Sequence, residues 1–111
     1  MPYLNMGNPY FLTTEFIDTY VSESIGNYAL GYSDDRFHVL YVGRSDSNVN
    51  KRLKDHLNEG FTEFKFSLAE SAKAAYYKEC RNYHDFNPRY NDIHPAKPNK
   101  QDSLRCPVCG Q

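Results

Sequence analysis

The strongest constraint on this chain is a pair of apolar runs, "GNYALGY" (26–32) and "FHVLYVG" (37–43), set around the polar turn "SDDR". Aromatic and branched residues broken by a short polar stretch predict two antiparallel strands joined as a hairpin. If the turn centres between Asp34 and Asp35, Tyr28 directly opposes Tyr41, with Cβ atoms about 5 Å apart.

Other segments supply what the hairpin must pack against. Residues 1–12 read as an irregular arm broken by Gly7 and Pro9. "TTEFIDTYVSES" predicts a short helix opening at Thr13 or Thr14, with Phe16, Ile17, Tyr20 and Val21 on one face. "NVNKRLKDHLNEG" predicts a second helix running to Gly60. Val49, Leu53 and Leu57 form its apolar stripe, and Arg52 and His56 a neighbouring ridge. "FTEFKFS" reads as a third strand. Ser67, with Glu70 three residues on, has the pattern of a capping box opening the longest helix. That helix extends to about Phe86, ahead of Pro88, with Ala72, Ala75, Tyr76, Tyr83 and Phe86 on its buried face. The remainder, rich in Pro, Asn and Asp, reads as loop. The expected fold is α+β: a small, mostly antiparallel three-stranded sheet flanked by helices, with an irregular C-terminal tail. Residues 1–24 form an arm and short helix, 25–99 the main domain and 100–111 the tail.

The 111 residues suit a single domain. No stretch approaches a membrane span, and the N-terminus lacks a basic-then-apolar leader, so a cytoplasmic protein without membrane partners is expected. Net charge is −1, but unevenly spread. Residues 1–43 hold one basic and five acidic residues, and residues 44–111 twelve basic and nine acidic. A polyanion would therefore meet a local patch rather than a basic face.

Three cysteines make an odd number, and "CPVCG" lies almost at the C-terminus. In a reducing compartment this points to metal or redox chemistry rather than a disulfide framework. The C-x-x-C spacing with a trailing glycine is that of half a zinc knuckle. Cys80 and His84, four apart on the long helix, would complete a structural Zn²⁺ site with Cys106 and Cys109. His94 is a credible substitute for Cys80 or His84. The ordinary alternative is a buried apolar Cys80 and an unstructured "CPVCG".

Glu79 falls inside the apolar stripe of the long helix, where a carboxylate is costly unless paired or bound to a cation. A salt bridge to a nearby Arg or Lys is the plain explanation. Arg52 and His56 singly suit a helix surface, and Tyr28 and Tyr41 singly suit a core with wet hydroxyls. Together, however, "GNY" (26–28), "YVG" (41–43) with Arg44 and Ser45 after it, Arg52, His56 four further on, and Glu79 resemble the GIY-YIG nuclease domain. An asparagine following the helix completes that pattern. Asn91, twelve residues after Glu79, fills the place, with Asn99 of "HPAKPN" as its rival. The resemblance spans roughly residues 25–99. It departs at Asn27, where Ile or Val is usual, and in the shortage of basic charge.

The resemblance implies metal-dependent hydrolysis of a nucleic-acid phosphodiester, DNA ahead of RNA, with one Mg²⁺ or Mn²⁺. In that scheme Glu79 holds the ion and Arg52 contacts the scissile phosphate. Tyr28 and Tyr41 serve as base or relay, with His56 taking the proton. A tyrosine near its usual pKa of about 10 would need lowering by Arg44, Arg52 or the metal. Asn91 or Asn99 anchors the site. Gly43, Arg44, Ser45, Lys51 and Lys54 are expected to line the substrate, with Gly43 permitting a tight backbone turn. A chain of this length leaves no room for an attached targeting module, so weak or structural specificity, a homo-oligomer or a guiding protein partner is expected. The alternative function is a non-catalytic or partner-dependent nucleic-acid-binding module.

Overall fold

The computed structural model describes residues 3–99 and 101–111. Its elements in chain order are β1 (Tyr10–Phe11), α1 (Thr14–Tyr20), β2 (Gly26–Ser33), β3 (Phe37–Ser45), α2 (Val49–Lys54), β4 (Glu63–Leu68) and α3 (Ala72–Phe86). The fold is α+β. Four antiparallel strands form an open sheet in the order β1-β4-β2-β3. The expected sheet lacked β1, which lies inside the arm read as irregular. Tyr10 and Phe11 become a strand only by pairing with Phe64 and Glu63, a non-local contact that a two-residue run does not announce.

The hairpin forms as expected, but its register differs. Tyr28 opposes Gly43, and Leu30 opposes Tyr41. An irregularity between Leu30 and Gly31 shifts the pairing by one residue, so counting from the turn misplaces everything beyond it. Tyr28 and Tyr41 still share a face as diagonal neighbours, their ring centroids 6.3 Å apart.

Alternation along β2 sets the layers. Tyr28 and Leu30, with Phe64 of β4, pack against Ile17 of α1, the adjoining Val21, and Val49 and Leu53 of α2. On the other face Ala29 and Val42 meet Leu4 and Met6 of the arm, with Tyr83 and Phe86 of α3 half-buried beside them. Asn27 also points to this face, and its Nδ2 donates to Ala75 O at 2.9 Å, pinning α3 to the sheet. The apolar residue usual in the resembling family could not make that bond.

Thr13 caps α1 by accepting from Phe16 N, as expected. Ser67 does not open α3; it lies in β4, and Ser71 is the cap, accepting from Ala74 N at 3.0 Å. The strand's pull on Ser67 outweighs a local capping pattern. On α3 the buried residues are Ala75, Tyr76, Glu79, Cys80 and Asn82, whereas Ala72, Tyr83 and Phe86 are only half-buried. Asn87 ends α3 in the left-handed conformation at φ 45°, just before Pro88. α2 stops at Lys54 rather than Gly60, and residues 55–60 continue as turns. The bond from His56 N to Leu53 O at 3.0 Å tightens this exit.

Beyond α3 the described residues of the tail form no helix or strand, and few of their side chains are buried, chiefly Pro88, Pro95, Pro98 and Cys106. Cys106 packs on Tyr76 and Cys80 of α3. Among the described residues no helix is long and apolar enough to cross a membrane.

Candidate functional site

A cleft of about 710 Å³ opens where the C-terminal half of β3, Arg52 of α2, α3 and the tail converge. Tyr28, Tyr41, Gly43, Arg44, Ser45, Arg52, Glu79 and Asn91 all line it. Asp46, Tyr90 and residues 92–96 complete its wall. Lys51, Lys54, His56 and Asn99 do not contribute to the lining; His56 lies behind Tyr28, and the Lys54 ammonium is bonded to Asp18 at 2.6 Å.

Tyr28 is buried, and its hydroxyl meets His56 Nε2 at 2.8 Å. His56 Nδ1 lies 2.6 Å from Glu59 Oε1. An ionised carboxylate only accepts, so Nδ1 carries the proton, and in the neutral ring Nε2 accepts from Tyr28. The result is a Glu59–His56–Tyr28 chain ending at the cleft. Glu59 was not foreseen; its signal was an acid three residues after His56, which the turn after α2 brings onto the ring. Of the cations expected to lower Tyr28, Arg52 acts in that direction but is outweighed. Burial pushes the Tyr28 pKa above the usual value, Tyr41 adds to this, and Arg52 offsets it only in part. A free phenolate is therefore disfavoured, and the hydroxyl keeps its proton in the hydrogen bond to His56 Nε2.

Gly43 lies within β3, not in a turn. It faces Tyr28 across the pair, and a Cβ there would drive into the phenol ring. Glycine is needed because the Tyr28 side chain crosses the neighbouring strand at that point.

Glu79 is buried, and its Oε1 accepts from Arg44 Nη1 at 2.6 Å. Arg44 Nε also donates to Asp46 Oδ1 at 2.7 Å, and its guanidinium lies over the Tyr76 ring. The plain explanation of Glu79, a salt bridge, is thus realised. Burial still pushes its carboxyl above the usual range, with Arg44 the main group drawing it back. A hard divalent cation needs few protein oxygens and keeps several waters. The cleft offers such an ion Glu79, Asp46 and Asp92, but Arg44 already bonds to the first two. A cation would take the second Glu79 oxygen or displace the guanidinium.

The remaining expected residues are largely engaged with the backbone. Asn91 Oδ1 accepts from Val42 N at 2.8 Å, and its Nδ2 donates to Val42 O at 2.9 Å. Its carboxamide fastens the tail to β3 rather than pointing at a substrate. Asn99 is exposed and outside the cleft. Ser45 Oγ accepts from Asn48 N at 2.8 Å, shaping the loop that opens α2. Arg52 is the exposed cation on the wall.

A second cluster lies where the tail meets α3. One nitrogen each of His84 and His94 and the sulfurs of Cys106 and Cys109 all lie within 4.8 Å of one another. These four could hold a metal ion. Bonds of 2.0–2.3 Å in a tetrahedron require ligand spacings of about 3.3–3.8 Å, so a small contraction would close the shell. His94 stands where Cys80 was expected. Cys80 is fully buried beside Tyr76 and Cys106, and burial pushes its thiol up to about 12. Cys106 goes the other way. Burial works to raise it, but the N–H groups of Cys109 and Val108 and the His94 ring hold it down to about 5, the state a metal ligand needs. His84 Nε2 is buried with no hydrogen-bond partner among the described residues, as expected of a group reserved for an ion.

No protein-family model matches the chain, and no curated protein matches it either.

Proposed function

We propose that this chain is a metal-dependent phosphodiester hydrolase, an endonuclease of the GIY-YIG type acting on DNA. The observation that carries the reading is the chain Glu59–His56–Tyr28, hydrogen-bonded end to end and opening onto a cleft that also holds Arg52 and Glu79. A structural core has little use for a buried phenol tied to an oriented imidazole at the edge of a water-accessible cleft.

In this mechanism Arg52 grips the scissile phosphate through its planar fork and balances the charge that builds on it. Tyr28 orients the attacking water. It takes that water's proton as it passes its own to His56 Nε2, and Glu59 holds the imidazolium that results. Glu79 and Asp46 are the carboxylates that would hold a magnesium or manganese ion, which when bound supplies Lewis-acid stabilisation of the phosphate. Until then Arg44 draws the Glu79 carboxyl back against the upward push of burial. The tail cluster is read as a structural zinc site of His84, His94, Cys106 and Cys109, because two thiolates and two imidazoles suit zinc in a closed tetrahedron.

The second reading is a non-catalytic nucleic-acid-binding module, favoured by the Arg44–Glu79 pair, which neutralises the carboxylate without any ion. Incubation of plasmid, branched and single-stranded DNA with Mg²⁺ or Mn²⁺, beside Glu79→Gln, separates the two. Cleavage by the parent and none by the variant is expected. Binding without cleavage in both would establish the module.

A further inference from the structure

A recess of about 360 Å³ adjoins the cleft, lined by Leu40, Tyr41, Glu59, Gly60, Phe61 and Tyr90. Its size falls within the range of small-ligand pockets. Tyr41 and Tyr90 belong to both cavities, so they form the partition between them. Phe61 and Tyr90 meet edge to face, centroids 5.7 Å apart at 81°, and Tyr41 lies 6.4 Å from Phe61. Tyr90 is 51% exposed, and the Arg89 guanidinium lies 5.6 Å from its ring centroid. About half of this ring is therefore open to a partner. It is not loosely held, because Tyr90 N donates to Leu40 O at 3.0 Å and the next residue fixes both its carboxamide atoms to Val42.

We propose that this recess is a nucleobase subsite, and that the substrate presents an unpaired nucleotide beside the phosphate held in the cleft. The proposal rests on the hydrolase reading for the place of the phosphate. Aromatic faces with a neighbouring guanidinium are the standard means of holding a base without reading its sequence. A base inside a duplex cannot enter such a recess without leaving its stack, at a cost that single strands, flaps and bulges avoid. The arrangement also suits the charge of the chain. In a protein of net charge −1, Arg44 and Lys54 are both held by carboxylates and Arg52 is the exposed cation on the cleft wall, so stacking supplies affinity that the cleft's own cations do not.

The test is equilibrium binding of 2-aminopurine oligonucleotides to the full chain without added Mg²⁺ or Mn²⁺, so that cleavage plays no part in the readout. Single strands and gapped duplexes should quench the 2-aminopurine fluorescence on binding and bind more tightly than a blunt duplex. Tyr90→Leu and Phe61→Leu should each weaken single-strand binding by about 5- to 150-fold and leave duplex binding unchanged. Tyr90→Phe should retain most of it. Equal affinity for blunt duplex and single strand, or absence of quenching with the parent protein, overturns the subsite even if neither leucine variant folds. So does a folded Tyr90→Leu and Phe61→Leu pair with unaltered binding, which would leave the recess to an apolar peptide or to nothing. Quenching without cleavage of any plasmid, branched or single-stranded substrate in the separate Mg²⁺ and Mn²⁺ assay would sink the hydrolase reading and keep the subsite; cleavage without quenching would do the reverse.

Discussion

The hydroxyl of Tyr28 and the Nε2 of His56 lie 2.8 Å apart, although 28 residues separate them in the chain. One sits on a central strand and the other on a turn after a short helix, so the contact depends on the whole layer between them. If the two act as one proton-transfer unit, Tyr28→Phe and His56→Ala should each lower kcat by roughly 10²- to 10⁴-fold. The double variant should lose little more than either alone. Glu59→Gln should cost less and be felt in kcat rather than KM. Additive losses would show that the residues act separately.

The buried pair Arg44–Glu79 yields a stability prediction with a definite pH dependence. Glu79→Gln should abolish cleavage while leaving nucleic-acid binding nearly unchanged. Arg44→Met should leave a buried carboxylate without its partner and cost about 3 kcal/mol near neutral pH. Burial already raises the Glu79 carboxyl, and loss of Arg44 raises it further. A raised carboxyl binds its proton more readily in the folded state, so the cost is absent below the unfolded pKa near 4.3 and grows as pH rises through the folded value. Denaturation curves of Arg44→Met and parent should therefore converge on acidification. A gap that stays constant with pH would refute the assignment.

Metal analysis of the purified protein should find close to one zinc per chain. Cys106→Ser and His94→Ala should lose it together with thermal stability, because binding an ion at such a site contributes directly to folding. Cys80→Ser should keep its zinc, since Cys80 lies outside the four-residue cluster. Zinc lost with Cys80 and retained without His94 would reverse the ligand assignment.

Binding to duplex DNA should depend only weakly on salt. Each phosphate neutralised adds about −0.9 to the slope of log affinity against log salt. With Arg44 tied to Glu79 and Asp46, and Lys54 to Asp18, the slope should be about −3 or shallower. A slope near that of a large repressor would mean that many more cations engage the backbone.

Gly43→Ala should cost about 1–3 kcal/mol, as overpacking does, because the new methyl meets the Tyr28 ring. The displaced phenol should also lose its contact with His56, so activity should fall further than stability explains. An active, fully stable Gly43→Ala would show that the strand pair can spread at no cost.

What could be read in advance was what local pattern determines. The hairpin, α1 with its Thr13 cap, the C-terminal end of α3 and the C-x-x-C turn each rest on neighbours in sequence. Contacts made at long range were harder. β1 exists only because Phe64 and Glu63 lie beside it, and the shift at Gly31 follows from packing that a turn-centred count ignores. Ser67 carried a good capping pattern and lost to its place in β4. Spacing brought Tyr28, Arg52, Glu79 and Asn91 to one cleft. It did not show that Asn91 would be spent on Val42, or that Glu59 would reach His56.

The hold of Asn91 on Val42 has a consequence for how this molecule meets copies of itself. β3 is an outer strand, and an outer strand with unpaired N–H and C=O groups is a template for another chain. Here Tyr90 bonds Leu40 through its backbone, and a single side-chain amide imitates a strand partner at Val42. The seal runs through residues 90–91, and His94 ties the same segment to the cysteine turn. If the cluster holds an ion, removing it would do more than loosen a tail: it would unzip a self-adhesive border, and chelator-treated protein should grow sticky before it unfolds.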